Sequence, residues 1–261
     1  MTMTRNFCFR LSHVALLGLV FMLCSCQTSN RLLHAKKVQL SPFIEYPHVM
    51  MPARKRVPFH LIWRNFEREA QWRVVKKTEI YIAPVTLKYL RPVKQAVVRN
   101  EIRAGSVKRD EQGVARAVRA AFANAFITSP HPRYKWVKNP TANSLTLEIA
   151  VIELNPTSPT GNAVKTAAKF VVGPLAGLGG IFTKGNVAIE GKIRNSATKE
   201  LIFQFADNEA DKMTFYTLRD FKPYGHAAIA IKEWAAQLEE FTRTVPDHQV
   251  EESQFFTLKP W

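Results

Sequence analysis

Apolar residues recur along the chain with the two periods that distinguish strands from helices. Alternating or β-branched apolar positions predict four strands, at 79–85, 144–154, 187–194 and 201–205. Asn195–Lys199 supplies the turn residues of a hairpin between the last two strands. The second face of the 144–154 strand becomes apolar only from Ala150 onward. We therefore expect both faces of that strand to be covered near its end.

Helical spacing of apolar residues, or a capping residue, predicts helices at 62–70, 110–129, 162–172 and 227–241. Asp110 is a typical N-cap for the longest internal helix, and Trp234 lies in the apolar stripe of the last one. The solvent side of that last helix is predicted to carry Lys232, Glu233, Glu239 and Glu240.

The order of these elements predicts an α/β (α+β) fold. The first strand, helix and strand should form a right-handed crossover between parallel strands, and the hairpin adds antiparallel neighbours. The simplest arrangement is a two-layer sandwich, in which a mixed sheet of about four strands carries the C-terminal helix on one face.

The N-terminus has the features of an export signal. Arg5 and Arg10 precede Leu11–Leu23, an almost uncharged run of 13 residues that is too short to span a bilayer. The run ends in Leu23-Cys24-Ser25-Cys26, which resembles a bacterial lipobox with Cys26 as the lipid acceptor and Cys24 as a rival. An ordinary secretory signal with incidental cysteines is the alternative.

This interpretation predicts the domain organisation and the location. We expect a signal peptide at 1–25, a lipidated N-terminus and tether at 26–51, a single α/β domain at 52–245 and a tail at 246–261. Gln27 lacks the charge that retains lipoproteins at the inner membrane of enteric-type bacteria, so the outer membrane facing the periplasm is favoured. The mature chain has no cysteine apart from the acceptor, and therefore no disulfide or thiolate metal site.

Charge is distributed unevenly along the chain, whose formal net charge is +16. Residues 26–138 carry 23 Lys and Arg against 7 Asp and Glu, whereas residues 139–261 carry 12 against 14. The basic clusters Arg54, Lys55, Arg56 and Lys76, Lys77 are candidate contacts for lipid headgroups or an anionic envelope polymer. A solvated basic face without a partner is the alternative. Export and the absence of any nucleic-acid-binding motif argue against nucleic acid.

An uncharged, glycine-rich stretch at 170–182 is a second candidate contact, for membrane or for an envelope protein partner. Its large apolar residues are Leu175, Leu178, Ile181 and Phe182. An exposed run of this kind would indicate contact with another surface. Burial as a cap of the core is the favoured alternative, because glycine-rich loops also cover cores.

The sequence contains no convincing motif of a catalytic or metal-binding site. The histidines after the signal have no ligand spacing, and Ser196-Ala197-Thr198-Lys199 lies in a predicted turn instead of at a helix start. We predict no catalytic residue, no cofactor and no metal. The expected function is binding by a lipid-anchored envelope lipoprotein. A subunit of an envelope assembly or transport complex is the first alternative, and an enzyme acting on cell-wall or lipid substrates is the second.

Several segments between Ser41 and Arg243 match a known pattern. They are Phe43-Ile44-Glu45-Tyr46, the strand Lys77–Val85, the hairpin Glu190–Leu201 and the helix bearing Trp234. Together they resemble the bacterial lipoprotein family catalogued as domain of unknown function 3313. The chain departs from the pattern at Lys199, where glycine is usual, at Val57–Arg68 and after Val245. The resemblance implies an envelope lipoprotein with an α/β domain and supplies no catalytic residues.

Overall fold

Ten helices and strands are present in the described part of the computed structural model. The structure describes residues 39–53, 57–67, 74–93, 96–105, 110–156, 186–210, 224–244 and 248–250. Their elements are β1 (Met51–Pro52), β2 (Leu61–Arg64), β3 (Glu79–Ile82), α1 (Ala96–Arg103), α2 (Glu111–Thr128), β4 (Lys135–Val137), β5 (Ser144–Asn155), β6 (Asn186–Asn195), β7 (Leu201–Ala210) and α3 (Gly225–Arg243), with a 3₁₀ turn at Pro47–Val49 before β1. The predicted helix at 162–172 and the glycine-rich stretch lie outside the described residues.

The strands form one mixed sheet in the order β1-β2-β7-β6-β5-β3-β4. β3 runs parallel to both β4 and β5, as the crossover predicts, and the remaining pairs are antiparallel. The expected number of about four strands is wrong, since the sheet has seven strands within the described residues alone. The strands missed are β1, β2 and β4, which have two to four residues each. Such short segments give no recognisable alternation.

The predicted helix at 62–70 is also wrong, because Leu61–Arg64 is a strand paired with β7. Ile62 packs against the main core, but Phe66 is exposed. Two apolar residues four apart are compatible with either period in so short a segment, and pairing with β7 determines the outcome.

The main core lies between one face of the sheet and the helices α2 and α3. β5 contributes Leu145, Leu147, Ile149 and Val151 to it, α2 contributes Val114, Val118, Phe122 and Phe126, and α3 contributes Trp234. This arrangement confirms the mixed α/β fold and the packing of the C-terminal helix. The Asp110 carboxylate accepts a hydrogen bond from the Gly113 N–H at 2.7 Å, so the predicted N-cap is present. Glu239 is buried and not on the solvent side, and it accepts a hydrogen bond from Ser129 Oγ at 2.7 Å.

Two backbone positions in the β6–β7 hairpin depend on glycine-like geometry. Lys199 has a φ of 62°, in the left-handed region that favours glycine. Gly191 lies opposite the buried ring of Phe205, and a Cβ at this position would stand 2.1 Å from two ring carbons. The absence of a side chain at Gly191 therefore allows the aromatic ring to lie flat across β6.

Candidate functional site

The second face of the sheet is crossed by the segment Ser41–Tyr46, here called the strap. Phe43 and Ile44 of the strap are buried against Ala150, Ile152 and Ala188, in a core cluster separate from the one beneath the helices. This packing explains why the second face of β5 becomes apolar near its end. It also shows that the ordered domain includes residues well before β1.

A buried carboxylate fastens the beginning of the strap to β6. Glu190 is 2% exposed, and its two oxygens accept hydrogen bonds from the Ser41 N–H at 2.7 Å and from Ser41 Oγ at 2.5 Å. Burial raises the pKa of Glu190, and the Ser41 donors together with the charges of Arg91 and Lys192 offset that effect only in part. We call this contact the Ser41–Glu190 lock.

The end of the strap is held by ion pairs on the same face. Lys192 Nζ lies 3.0 Å from Glu45 Oε1 and 3.4 Å from Glu148 Oε2, and it stands 4.2 Å from the centre of the Phe43 ring. Arg194 pairs with the same two carboxylates, and burial lowers its pKa. Two cations thus balance two carboxylates, so this cluster leaves no net charge to attract a ligand.

A small cavity opens on the same face between β2, β7 and β6. His60 Nδ1 lies 2.8 Å from Asn208 Oδ1 and 2.9 Å from Asp207 Oδ1, and Glu190 also lines the space. These are residue types used in acid–base catalysis. The cavity volume of about 20 Å³, however, accommodates a single water molecule and no substrate.

Four cations lie together at the opposite edge of the sheet, where β3 and β4 begin. We call Lys76, Lys77, Arg133 and Lys135 the basic patch. Lys77 Nζ donates to the Ala142 carbonyl at 2.5 Å, and an Arg133 N–H donates to the Val75 carbonyl at 2.7 Å. None of the four forms a salt bridge with a carboxylate of the described residues. Glu79, the register partner of Lys135 on β3, offsets one of these four charges, so the patch keeps a net positive charge.

The basic patch joins predicted and unpredicted residues. Lys76 and Lys77 were candidates from the sequence, whereas Arg133 and Lys135 were missed because only the parallel pairing of β3 with β4 brings them close. The other candidates lie outside the described residues: Cys26, Arg54, Lys55, Arg56, Leu175, Leu178, Ile181 and Phe182.

The described residues contain neither a cluster of metal ligands nor a helix able to span a membrane. They contain no group of three or more His, Cys, Asp or Glu side chains that could hold a metal ion. Among the described helices, none combines the length and the apolar composition needed to cross a bilayer.

Comparison with known proteins identifies the family. Residues 61–238 match the family described as "Protein of unknown function (DUF3313)". The chain belongs to this family. The DUF3313 resemblance inferred from the strand, hairpin and Trp234 segments is thereby confirmed.

Solved structures similar to this DUF3313 chain are distant. The PelC dodecamer from Paraburkholderia phytofirmans aligns with a TM-score of 0.35 and 7% identity, over 63% of this chain and 89% of that chain. The hypothetical protein CT253 from Chlamydia trachomatis aligns with a TM-score of 0.36 and 10% identity, over 64% of this chain and 98% of that chain. No curated protein matches the DUF3313 chain. At this distance the structural similarities support no functional argument.

Proposed function

We propose that the chain is a lipid-anchored lipoprotein of the cell envelope that acts by binding an anionic partner through the basic patch. The observation that carries the proposal is the cluster of four cations without carboxylate partners in the described residues. Lys77 and Arg133 use backbone carbonyls as acceptors, which orient the side chains without cancelling their charge.

The chemistry of the patch favours phosphate or carboxylate groups presented on a larger molecule. Each cation close to an anionic surface contributes about 1 kcal/mol at moderate ionic strength. Val75, which is 63% exposed, lies beside the cations and adds apolar contact area. Lipid headgroups and an acidic envelope polymer share this chemistry, so the test must separate them.

The lipid anchor is supported by the N-terminal sequence. Arg5 and Arg10, the short apolar run and Leu23-Cys24-Ser25-Cys26 together support lipidation of Cys26 in the envelope, with the outer membrane favoured. A thioether-linked diacylglycerol and an acylated amine would hold the chain to a bilayer almost permanently. Mass spectrometry of the mature N-terminus tests this part directly, and an unmodified cysteine would contradict it.

Binding is tested with the mature chain carrying Cys26→Ser, so that the lipid does not itself hold the protein to the probe. The two probes are anionic phospholipid vesicles and soluble polyphosphate. Lys76→Gln combined with Lys135→Gln should weaken binding about tenfold or more, since two cations are lost. The matched control is Arg116→Gln with Lys232→Gln, which removes the same charge from exposed positions on α2 and α3.

The expected result is a loss specific to the patch variant and a steep weakening of binding with added salt. Preference for vesicles would indicate headgroups as the partner, and preference for polyphosphate would indicate a polymer. An equal loss in both variants, or binding that does not respond to salt, would refute the role of the basic patch.

A further inference from the structure

We propose that the outer edge of β4 binds an extended acidic segment of a protein partner, which adds to the sheet as a further strand. The inference rests on the proposed binding role of the basic patch, and it narrows the partner from anions in general to an acidic polypeptide. A polypeptide differs from other anions because its backbone can pair with the edge of a sheet while its side chains carry the charge.

β4 has an open edge within the described part of the sheet. It is an outer strand, and on its inner side the Lys135 N–H donates to the Thr78 carbonyl at 2.8 Å. Successive residues of a strand direct their backbone groups to opposite sides, so the N–H and the carbonyl of Trp136 point outward. No strand of the described residues lies on that side. The edge therefore offers one donor and one acceptor that a second backbone can satisfy together.

A row of cations follows this edge. Arg133 lies just before β4, Lys135 begins it and Lys138 comes just after it, and the two lysines are exposed. Residues 129–147 contain no Asp or Glu. The five residue steps from Arg133 to Lys138 cover about 17 Å in an extended chain. A partner segment of about six residues would thus pass all three cations.

The carboxylate nearest to β4 in the register of the sheet lies on the inner side. Glu79 of β3 is the register partner of Lys135, and its Oε2 accepts a hydrogen bond from Thr141 Oγ1 at 2.5 Å. Glu79 offsets part of the charge from within the sheet. It does not occupy the outer side, where the attraction for an acidic strand remains.

Charge decides which kind of strand can occupy the edge. Lysine on an edge strand normally prevents pairing with another copy of the same protein. A second copy of this chain would bring the same three cations to the contact, and like charges on paired strands repel. An acidic segment instead places carboxylates across from the cations. The features that exclude a second copy therefore favour an acidic partner.

The outward backbone groups favour a polypeptide over the other anions. A phosphate polymer can neutralise the cations and accept from the Trp136 N–H, but it has no donor for the Trp136 carbonyl. Lipid headgroups do not present donors and acceptors at the spacing of a strand. Val75, whose carbonyl holds Arg133, is 63% exposed and offers contact area to an apolar side chain between the carboxylates.

Amide hydrogen exchange at Trp136 tests the inference in the mature chain carrying Cys26→Ser. The probe is a short acetylated and amidated peptide in which glutamate alternates with threonine, and the matched peptide has glutamine in place of glutamate. Soluble polyphosphate and anionic phospholipid vesicles are compared under the same conditions. The Lys135 amide is an internal reference, because it is already bonded to Thr78.

We expect the glutamate peptide to bind about tenfold or more tightly than the glutamine peptide, since only its carboxylates pair with the cations. It should slow exchange of the Trp136 amide by about tenfold and leave the Lys135 amide unchanged. Lys135→Gln with Lys138→Gln should abolish most of this binding. The control pair Arg116→Gln with Lys232→Gln, at exposed positions on α2 and α3, should retain it.

The other outcomes separate this inference from the proposed function. Binding of polyphosphate or vesicles through the basic patch, without peptide protection of Trp136, overturns the inference and leaves the proposed function standing. Failure of every anionic probe to bind overturns both. Equal binding of the two peptides overturns the role of charge. Protection of Trp136 that rises with protein concentration in the absence of peptide also overturns the inference, because a second copy then occupies the edge.

Discussion

Replacing Glu190 with alanine should release the strap from the sheet. Glu190 accepts two hydrogen bonds from Ser41, and both residues are buried. Hydrogen bonds to a charged group contribute about 1.5–3 kcal/mol each, and the loss is reduced because the buried carboxylate no longer has to be desolvated. We therefore expect Glu190→Ala to lower the free energy of unfolding by about 2–4 kcal/mol.

The assay is urea unfolding followed by circular dichroism, combined with amide hydrogen exchange of the strap. Exchange of the Ser41 and Glu45 amides should accelerate more than exchange within β5, because the strap can open locally. Glu190→Gln is the matched control, since its amide oxygen can still accept a hydrogen bond from the Ser41 N–H. It should lower the free energy of unfolding by less than half as much as Glu190→Ala does. A loss below about 0.5 kcal/mol for Glu190→Ala, the range of ordinary surface changes, would refute the lock.

The pH dependence of the lock has a definite sign. Burial raises the pKa of Glu190 above its ordinary value of 4.5, so the folded state binds this proton more tightly than the unfolded state does. This proton-linked part of the stability is separate from the Ser41 hydrogen bonds, which the charged carboxylate also accepts; it is fully present below 4.5 and is lost as the pH rises through the folded-state pKa. As the pH falls from the folded-state pKa of Glu190 to 4.5, the free energy of unfolding of the native protein should rise relative to that of Glu190→Gln. A fall of the native value relative to the variant would contradict the raised pKa of Glu190.

Three other substitutions test the local geometry. Gly191→Ala should cost about 1–3 kcal/mol in urea unfolding, because its Cβ meets the Phe205 ring, and Phe205→Leu in the same chain should recover part of that loss. Lys199→Gly should raise the free energy of unfolding by about 1 kcal/mol, since φ there is 62°; an unchanged melting temperature would argue against strain. Asp110→Ala should cost about 1 kcal/mol and Asp110→Asn much less, as measured by thermal unfolding.

Long segments were predictable because their periodicity reports burial directly. The stripe of α2, the alternation of β5 and the hairpin formed by β6 and β7 each extend over ten or more residues. Over that length a helix and a strand place their apolar residues differently, so the two cannot be confused. At 61–64 the segment is too short for the difference to appear, and the predicted helix was wrong.

The basic patch was predictable only in part. Lys76 and Lys77 are adjacent in the chain and stand out as a cluster, but Arg133 and Lys135 join them through the parallel pairing of Glu79 with Lys135. Parallel partners are separated by a long crossover, so local sequence carries no information on which cations meet.

The sequence by itself determined the mixed α/β class, the α2 and α3 helices, the β6–β7 hairpin and the family resemblance. These depend on interactions between residues that are near in the chain, namely apolar periodicity, capping by Asp110 and turn residues at 195–199. Tertiary structure alone decided the order of the seven strands in the described part of the sheet and the position of the strap on its second face. The Ser41–Glu190 lock joins residues 149 positions apart. Neither residue is unusual in the sequence, and their hydrogen bonds become strong only because the fold buries both partners away from water.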